Sequence, residues 1–340
     1  MERKKILVML PFHQTDIDAL REMFWEEYEV DVVDRNASRQ DLKKVVSQAQ
    51  IILGEPDLEL LQDVPKLEWI QMSFAGTDKY TMHPGFPKGV KLTNARGAFG
   101  AQMAEYAVGA VISNYRMFPV YQKQMEQRIW KDAQPKGALE RAEEGLYAYG
   151  MEETLEGKTV LILGCGNIGT ETAKRFSVFG TTNIGIKRQL TGEAIEGFDE
   201  LYTLDEIDSL LPKADIVIGC VPNGEGTIGL FQEKRLKLMK KNSVLLNMGR
   251  GQLIDTEALV ACLRDGWFRF VCLDVADPEP LPADNPLWGF ERVLITPHIS
   301  GSSFGHNKMT EKRIYELCCR NLKHYVQGQE LENIVRVERS

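Results

Sequence analysis

Four groups of residues in this chain stand at spacings that could do chemistry. Gly164-Cys-Gly166-Asn167-Ile168-Gly169 is a G-x-G-x-x-G run, and Arg250 lies between two glycines in Asn247-Met248-Gly-Arg-Gly. Asp274 precedes Asp277-Pro-Glu279-Pro280, and His298 ends Thr296-Pro-His. The glycine run suits a dinucleotide. Gly164 permits a tight turn, Gly166 lets the backbone approach a pyrophosphate, and Gly169 lets a helix pack on a strand, so that the first N–H groups of the helix face the phosphates. The planar fork of an Arg matches a carboxylate. A carbonyl that receives a hydride needs a proton donor, and imidazole is the usual one. A carboxylate beside that ring would hold it and favour its protonated form. Singly, each group also has a bland reading: a glycine turn without ligand, a loop Arg, a solvated Glu, a structural His. As a set they point to dinucleotide-dependent reduction of a carbonyl compound that carries a carboxylate. No spacing suggests a metal site.

A bound ribose 2′-hydroxyl asks for an acidic residue where the strand after the glycine loop ends. This chain has Ile186-Lys187-Arg188 there. Two cations suit a 2′-phosphate, which favours NADP over NAD; the alternative is a solvated charge pair at a strand end.

These residues need elements to position them, and the pattern supplies two series. The first has strands at 6–10, 30–33, 51–53, 67–72 and 90–93, with helical stretches at 15–27 and 40–48. The second has strands at 159–163, 183–186, 215–218, 243–246, 270–275 and 293–295. Short strands spaced by helices imply parallel βαβ units, hence two doubly wound α/β sheets. Arg250 and His298 fall just past strands, where open α/β sheets bind ligands, and the glycine run follows the first strand of the second series. Residues 101–130 and 308–327 read as helical, and Thr203-Leu-Asp-Glu206 fits a capping box. Residues 131–153 are charged and aperiodic.

The chain has 340 residues, room for about two domains. Its net charge of −8 argues against a general nucleic-acid binder. The six cysteines show no zinc-type spacing, and several lie in apolar strand-like runs, which suggests reduced thiols. No run approaches the ~20 apolar residues of a membrane span. The apolar run at 6–10 is too short for a signal peptide. The expectation is a cytoplasmic protein without membrane or nucleic-acid partners.

The glycine run, Val221-Pro222, Asn247 to Asp255, Leu273 to Pro282, Asn285-Pro-Leu-Trp288 and Ile295 to Ile299 together resemble the D-isomer-specific 2-hydroxyacid dehydrogenases over nearly the whole chain. The resemblance implies Arg250 as substrate-carboxylate clamp, His298 as acid/base and Glu279 as its orienting partner. It implies that Asp274 bonds the nicotinamide carboxamide, and that Val221, Pro222 and the turn containing Met248 border the cofactor. Ser73-Phe-Ala75-Gly76-Thr-Asp78 is similar to the family loop whose N–H groups hold the substrate carboxylate; read without the family it is only a glycine turn. The implied architecture is a flavodoxin-like substrate domain of residues 1–100 plus 300–340 and a Rossmann nucleotide-binding domain of residues 101–299. The latter would include an interdomain and homodimer helix at 101–118. The active site would be the cleft, closed by a hinge.

Within the family the pattern is most similar to the NADPH-using glyoxylate/hydroxypyruvate reductases, with D-lactate or a bulkier D-2-hydroxyacid as alternative substrate. A non-catalytic dinucleotide sensor on the same fold is the other reading. Two features depart from the family pattern: Lys187 where NAD users commonly carry an acid, and a longer stretch from Trp130 to Leu155. That stretch could cap the cleft, extend the dimer contact, or do neither.

Overall fold

The computed structural model describes residues 3–33, 37–130 and 152–337. Most of the aperiodic stretch at 131–153 therefore lies outside the described residues. Contacts divide the chain into two compact units, Met1–Phe99 with Ser302–Ser340 and Gly100–Gly301.

The first unit holds a five-stranded sheet of β1 (Lys4–Val8), β2 (Tyr28–Val32), β3 (Ile51–Leu53), β4 (Trp69–Gln71) and β5 (Lys91–Thr93). Its order is β2-β1-β3-β4-β5, and every pair is parallel. This is the flavodoxin-like order, whose switch point lies between β1 and β3. Helices α1 (Gln14–Phe24) and α2 (Arg39–Val46) connect the first strands. Leu7, Ile52, Ile70 and Leu92 from adjacent strands bury one layer of core.

The second unit holds β6 (Thr159–Leu163), β7 (Thr182–Ile186), β8 (Glu200–Tyr202), β9 (Ile216–Gly219), β10 (Val244–Asn247), β11 (Phe270–Leu273) and β12 (Val293–Ile295). The order β12-β11-β10-β9-β6-β7-β8 is parallel throughout. Strands β6, β9, β10 and β11 read as continuous apolar runs because both faces of a parallel sheet are covered. The order reverses between β6 and β9, which puts the ends of those two strands at the ligand crevice of such a fold.

Two sequence readings change here. The helical stretch expected over 101–130 is two helices, α3 (Gly100–Tyr115) and α4 (Phe118–Glu126). Met117 takes a left-handed φ of 55°, and Pro119 in the next first turn restarts the helix. Strand β8 escapes the pattern because it is three residues long and half-exposed at a sheet edge. The expected capping box forms, with Thr203 N–H donating to the Glu206 carboxylate at 3.3 Å. Helices α5 (Asn167–Ser177) and α6 (Thr256–Arg264) flank the second sheet. α7 (Lys308–Val326), beyond its last strand, belongs to the first unit. Among the described residues no helix is long and apolar enough to cross a membrane.

Candidate active site

The glycine loop runs from the end of β6 into α5. Gly164 has φ +102°, and a Cβ there would stand 2.8 Å from the Cys220 carbonyl oxygen. A Cβ on Gly169 would meet the Gly164 carbonyl oxygen at 1.8 Å, so the helix sits directly on the turn. A Cβ on Gly166 would meet nothing within 4 Å: the loop is open on that side. Gly166 is also the N-cap of α5, and no side chain caps the helix. An exposed Gly, uncapped N–H groups and open space form the cradle that a pyrophosphate needs. The residues present therefore fit a dinucleotide.

The rim of that cradle comes from neighbouring strands. Cys220 N–H donates to Leu163 O at 3.0 Å, which brings Val221 and Pro222, just past β9, beside the glycine loop. Lys187 and Arg188 follow β7, the latter exposed. The Cys165 thiol is pushed up to about 11, chiefly by burial, with the Lys187 charge acting against it. The same thiol donates to Ile186 O at 3.5 Å, which brings the strand end that carries Lys187 beside the glycine loop. Met248 is buried at the turn after β10, its N–H bonded to Gly219 O. Asn167 touches α3: a Cβ on Gly100 would stand 2.4 Å from Asn167 Oδ1.

Arg250 is built into its place by the residues around it. Asn247 Nδ2 donates to Arg250 O at 2.8 Å, and Asn247 Oδ1 accepts from Gly249 N–H at 3.1 Å. A Cβ on Gly249 would lie 2.5 Å from Val221 O, and one on Gly251 would lie 1.9 Å from Ala276 O. The Arg loop is thus squeezed between the segment beside the glycine loop and the segment leading to Glu279. Only glycines fit on either side of Arg250, a constraint the sequence hinted at through the Gly-Arg-Gly run.

Glu279 and His298 meet. His298 Nδ1 lies 2.7 Å from Glu279 Oε1. A carboxylate only accepts, so Nδ1–H donates and Nε2 is left to face solvent or a ligand. Both side chains are about half-exposed. His298 has a left-handed φ of 54°, and its N–H donates to Asp274 O at 2.9 Å and Thr296 O at 3.0 Å. The Asp274 side chain is buried behind that turn. Its carboxylate accepts from Thr296 Oγ1 at 2.6 Å, Ile299 N–H at 2.8 Å, Ser300 N–H at 3.0 Å and the Ser300 hydroxyl. Thr296, Ser300 and Asn247 are supports that sequence reasoning passed over, because their work lies in hydrogen bonds and not in a motif.

Arg250, Glu279 and His298 therefore come from three consecutive strand ends of one sheet, β10, β11 and β12, in the unit that carries the cradle. Ala75 and Gly76 belong to the other unit. They follow β4 in a loop tied down by Asn94 Nδ2 donating to Ala75 O at 2.7 Å, Ala95 N–H donating to Phe74 O at 2.9 Å, and Ser73 N–H donating to Glu55. These bonds use the loop's carbonyls and the Ser73 amide.

A family model described as "D-isomer specific 2-hydroxyacid dehydrogenase, NAD binding domain" matches residues 108–300. The chain belongs to the D-isomer-specific 2-hydroxyacid dehydrogenases. It is 31% identical over 298 residues to a glyoxylate reductase of Thermofilum pendens, covering 86% of this chain and 83% of that one. A glyoxylate reductase of Aeropyrum pernix is 27% identical, covering 99% and 97%. Among solved structures, a D-isomer specific 2-hydroxyacid dehydrogenase family protein of Aeromonas salmonicida superposes with a TM-score of 0.84 at 30% identity, covering 99% and 100%. The dehydrogenase is thus an NAD(P)-dependent oxidoreductase acting on the CH–OH group of 2-hydroxyacids and the matching 2-oxoacids.

Proposed function

We propose that this dehydrogenase runs as an NADPH-preferring reductase of small 2-oxoacids, glyoxylate or hydroxypyruvate above all, and forms D-2-hydroxyacids. The observation that carries the proposal is the His298–Glu279 pair at 2.7 Å, one strand away from the glycine-locked Arg250. The glyoxylate reductases among its relatives support the substrate class.

When bound, NADPH supplies the hydride that the C2 carbonyl accepts. Arg250 forks onto the substrate carboxylate and orients the carbonyl. His298, with Nδ1–H fixed on Glu279, gives the proton on Nε2 to the carbonyl oxygen as it becomes an alcohol. Glu279 offsets the imidazolium charge and holds the ring. The glycine loop and the start of α5, with Asn167 and Ile168, receive the pyrophosphate. Val221, Pro222 and Met248 shape the rim. Asp274 would hold the nicotinamide carboxamide. Lys187 and Arg188 meet the 2′-phosphate. For Ala75 and Gly76 the proposed role is an amide hold on the substrate carboxylate. The division of labour follows: residues 1–100 with 300–340 as substrate domain, 101–299 as nucleotide domain.

The working state is proposed to be a homodimer through α3 and α4. Among the described residues, Phe118 and Met125 on α4 and Ile129 and Trp130 just past it are exposed apolar side chains.

Following NADPH and NADH oxidation against glyoxylate, hydroxypyruvate, pyruvate and bulkier 2-oxoacids tests the reading. Turnover should be fastest with NADPH and either glyoxylate or hydroxypyruvate. Faster turnover of pyruvate or a bulkier acid would move the assignment to D-lactate or larger products, and no turnover of any would overturn it.

A further inference from the structure

The turn that presents His298 is anchored from behind by a residue with no place in the reaction as described above. Tyr106, on α3, has its hydroxyl oxygen 2.7 Å from Thr296 Oγ1 and 3.1 Å from Cys272 Sγ. All the groups involved belong to the second unit. The donor directions are fixed by the far end of the chain. A carboxylate only accepts, so the Thr296 hydroxyl donates to Asp274 Oδ1. The Thr296 oxygen then accepts from Tyr106 O–H, and the Tyr106 oxygen is left to accept from the Cys272 thiol. Burial keeps both outer groups protonated: the Tyr106 hydroxyl is pushed up by it, and the Cys272 thiol is pushed up to about 12.

This one-way chain ends on the same Asp274 whose backbone carbonyl takes the His298 N–H and whose carboxylate takes Ile299 and Ser300. His298 sits between them with φ +54°, a region that L residues occupy only where their surroundings hold them. A left-handed turn needs its restraints intact, and one of them reaches back to helix α3.

We propose that Tyr106 is a positioning residue for His298, acting through Thr296 and Asp274. The proposal rests on His298 being the proton donor of the reductase. Losing the Tyr106 hydroxyl frees Thr296 to rotate, removes an oriented donor from Asp274 and lets the turn relax. His298 then spends less time with Nδ1 on Glu279 and Nε2 aimed outward. The hydroxyl touches neither substrate nor cofactor, so binding should be spared.

Tyr106→Phe keeps the ring and removes only the hydroxyl. In the full-length enzyme kcat should fall about tenfold, the worth of one ordinary hydrogen bond. KM for glyoxylate and the Kd for NADPH should stay within about twofold. The ring-proton NMR signal of His298, assigned by its absence from His298→Asn, should move in Tyr106→Phe without any substrate present. Thr296→Val should move it in the same direction. The double variant should be no worse than Thr296→Val alone, because both act through one route.

Wild-type kcat with an unmoved His298 signal in Tyr106→Phe would overturn the proposal. So would additive losses in the double variant, or a lowered melting midpoint with kcat and signal unchanged, which would make Tyr106 a packing residue only. If the wild type reduces no 2-oxoacid while the signal still responds to Tyr106→Phe, the reductase reading fails and the positioning of His298 stands.

Discussion

Arg250 reaches its place through its neighbours' smallness as much as through its own charge. Gly249 and Gly251 let two backbone segments close on the loop, and Asn247 pins it. With the backbone so fixed, the shape of the side chain decides what it binds. Arg250→Lys keeps the charge and loses the two-pronged grip. KM for the 2-oxoacid should rise by at least about tenfold while the Kd for NADPH stays put, as steady-state kinetics and fluorescence titration would show. At Glu279, substitution by Gln keeps a hydrogen-bonding group and removes the negative charge beside His298. The imidazole loses the anion that faces its Nδ1, so kcat should fall by about tenfold with KM little changed; wild-type kcat would break the pairing. Arg250, Glu279 and His298 were readable as candidates in the sequence because the proposed reaction calls for those residue types. Tyr106 was not: a Tyr inside an apolar helical stretch looks like packing until its hydroxyl is found on Thr296.

Elements show the same division between what pattern reveals and what only packing reveals. Periodicity located nearly every strand to within a residue or two, since a fully buried parallel strand must be apolar along its length. It missed β8, an edge strand with little to bury, and it ran α3 and α4 together because the break is a single left-handed residue, Met117, between two helical stretches. Nor did it say how α7 holds the first sheet. Buried Asn321 donates to Gln71 Oε1 at 2.8 Å and to Glu332 O at 3.1 Å, and accepts from Glu332 N–H at 2.7 Å. Gln71 Oε1 also accepts from Thr93, which accepts in turn from the Trp69 indole. Asn321→Ala would leave the Glu332 amide unpaired and cost about 2 kcal/mol, seen as a lower urea midpoint. Two carboxyls help the same helix: the Arg320 hydrogen bond holds Glu332 below the ordinary range, and the Tyr325 hydroxyl does so for Glu68. A depressed carboxyl stabilises the fold at neutral pH and stops doing so as pH falls through its folded value. The grip of α7 should therefore weaken below about pH 4.

At the scale of the whole molecule, charge and assembly matter most. A chain of net charge −8 has to bind an anionic dinucleotide and an anionic substrate, so attraction must be local. On the proposed reading, Lys187 and Arg188 supply it beside the glycine loop. The ratio of NADPH to NADH affinity should shrink as salt is raised, because exposed charges are screened. Lys187→Asp with Arg188→Ala should swing the preference toward NADH. Calorimetric titration of both cofactors at two ionic strengths checks each point, and tighter NADH binding by wild type would mark the pair as mere surface. Assembly has its own test: sedimentation should give twice the chain mass, and Met125→Glu should reduce it to one. The two-unit plan was legible from two series of strands around one glycine loop.

The first unit is assembled from Met1–Phe99 and Ser302–Ser340, with the whole of the second unit between them. On the ribosome this sets an order of events. All seven strands of the nucleotide-binding unit, and every residue of the hydrogen-bond chain from Tyr106 to Asp274, are synthesised before α7 is. The first sheet must wait for a helix some two hundred residues downstream, with Gln71 buried in the finished unit and lacking its Asn321 partner until then. Synthesis therefore favours closing the inner unit first and leaves the outer one as the stretch that chaperones meet.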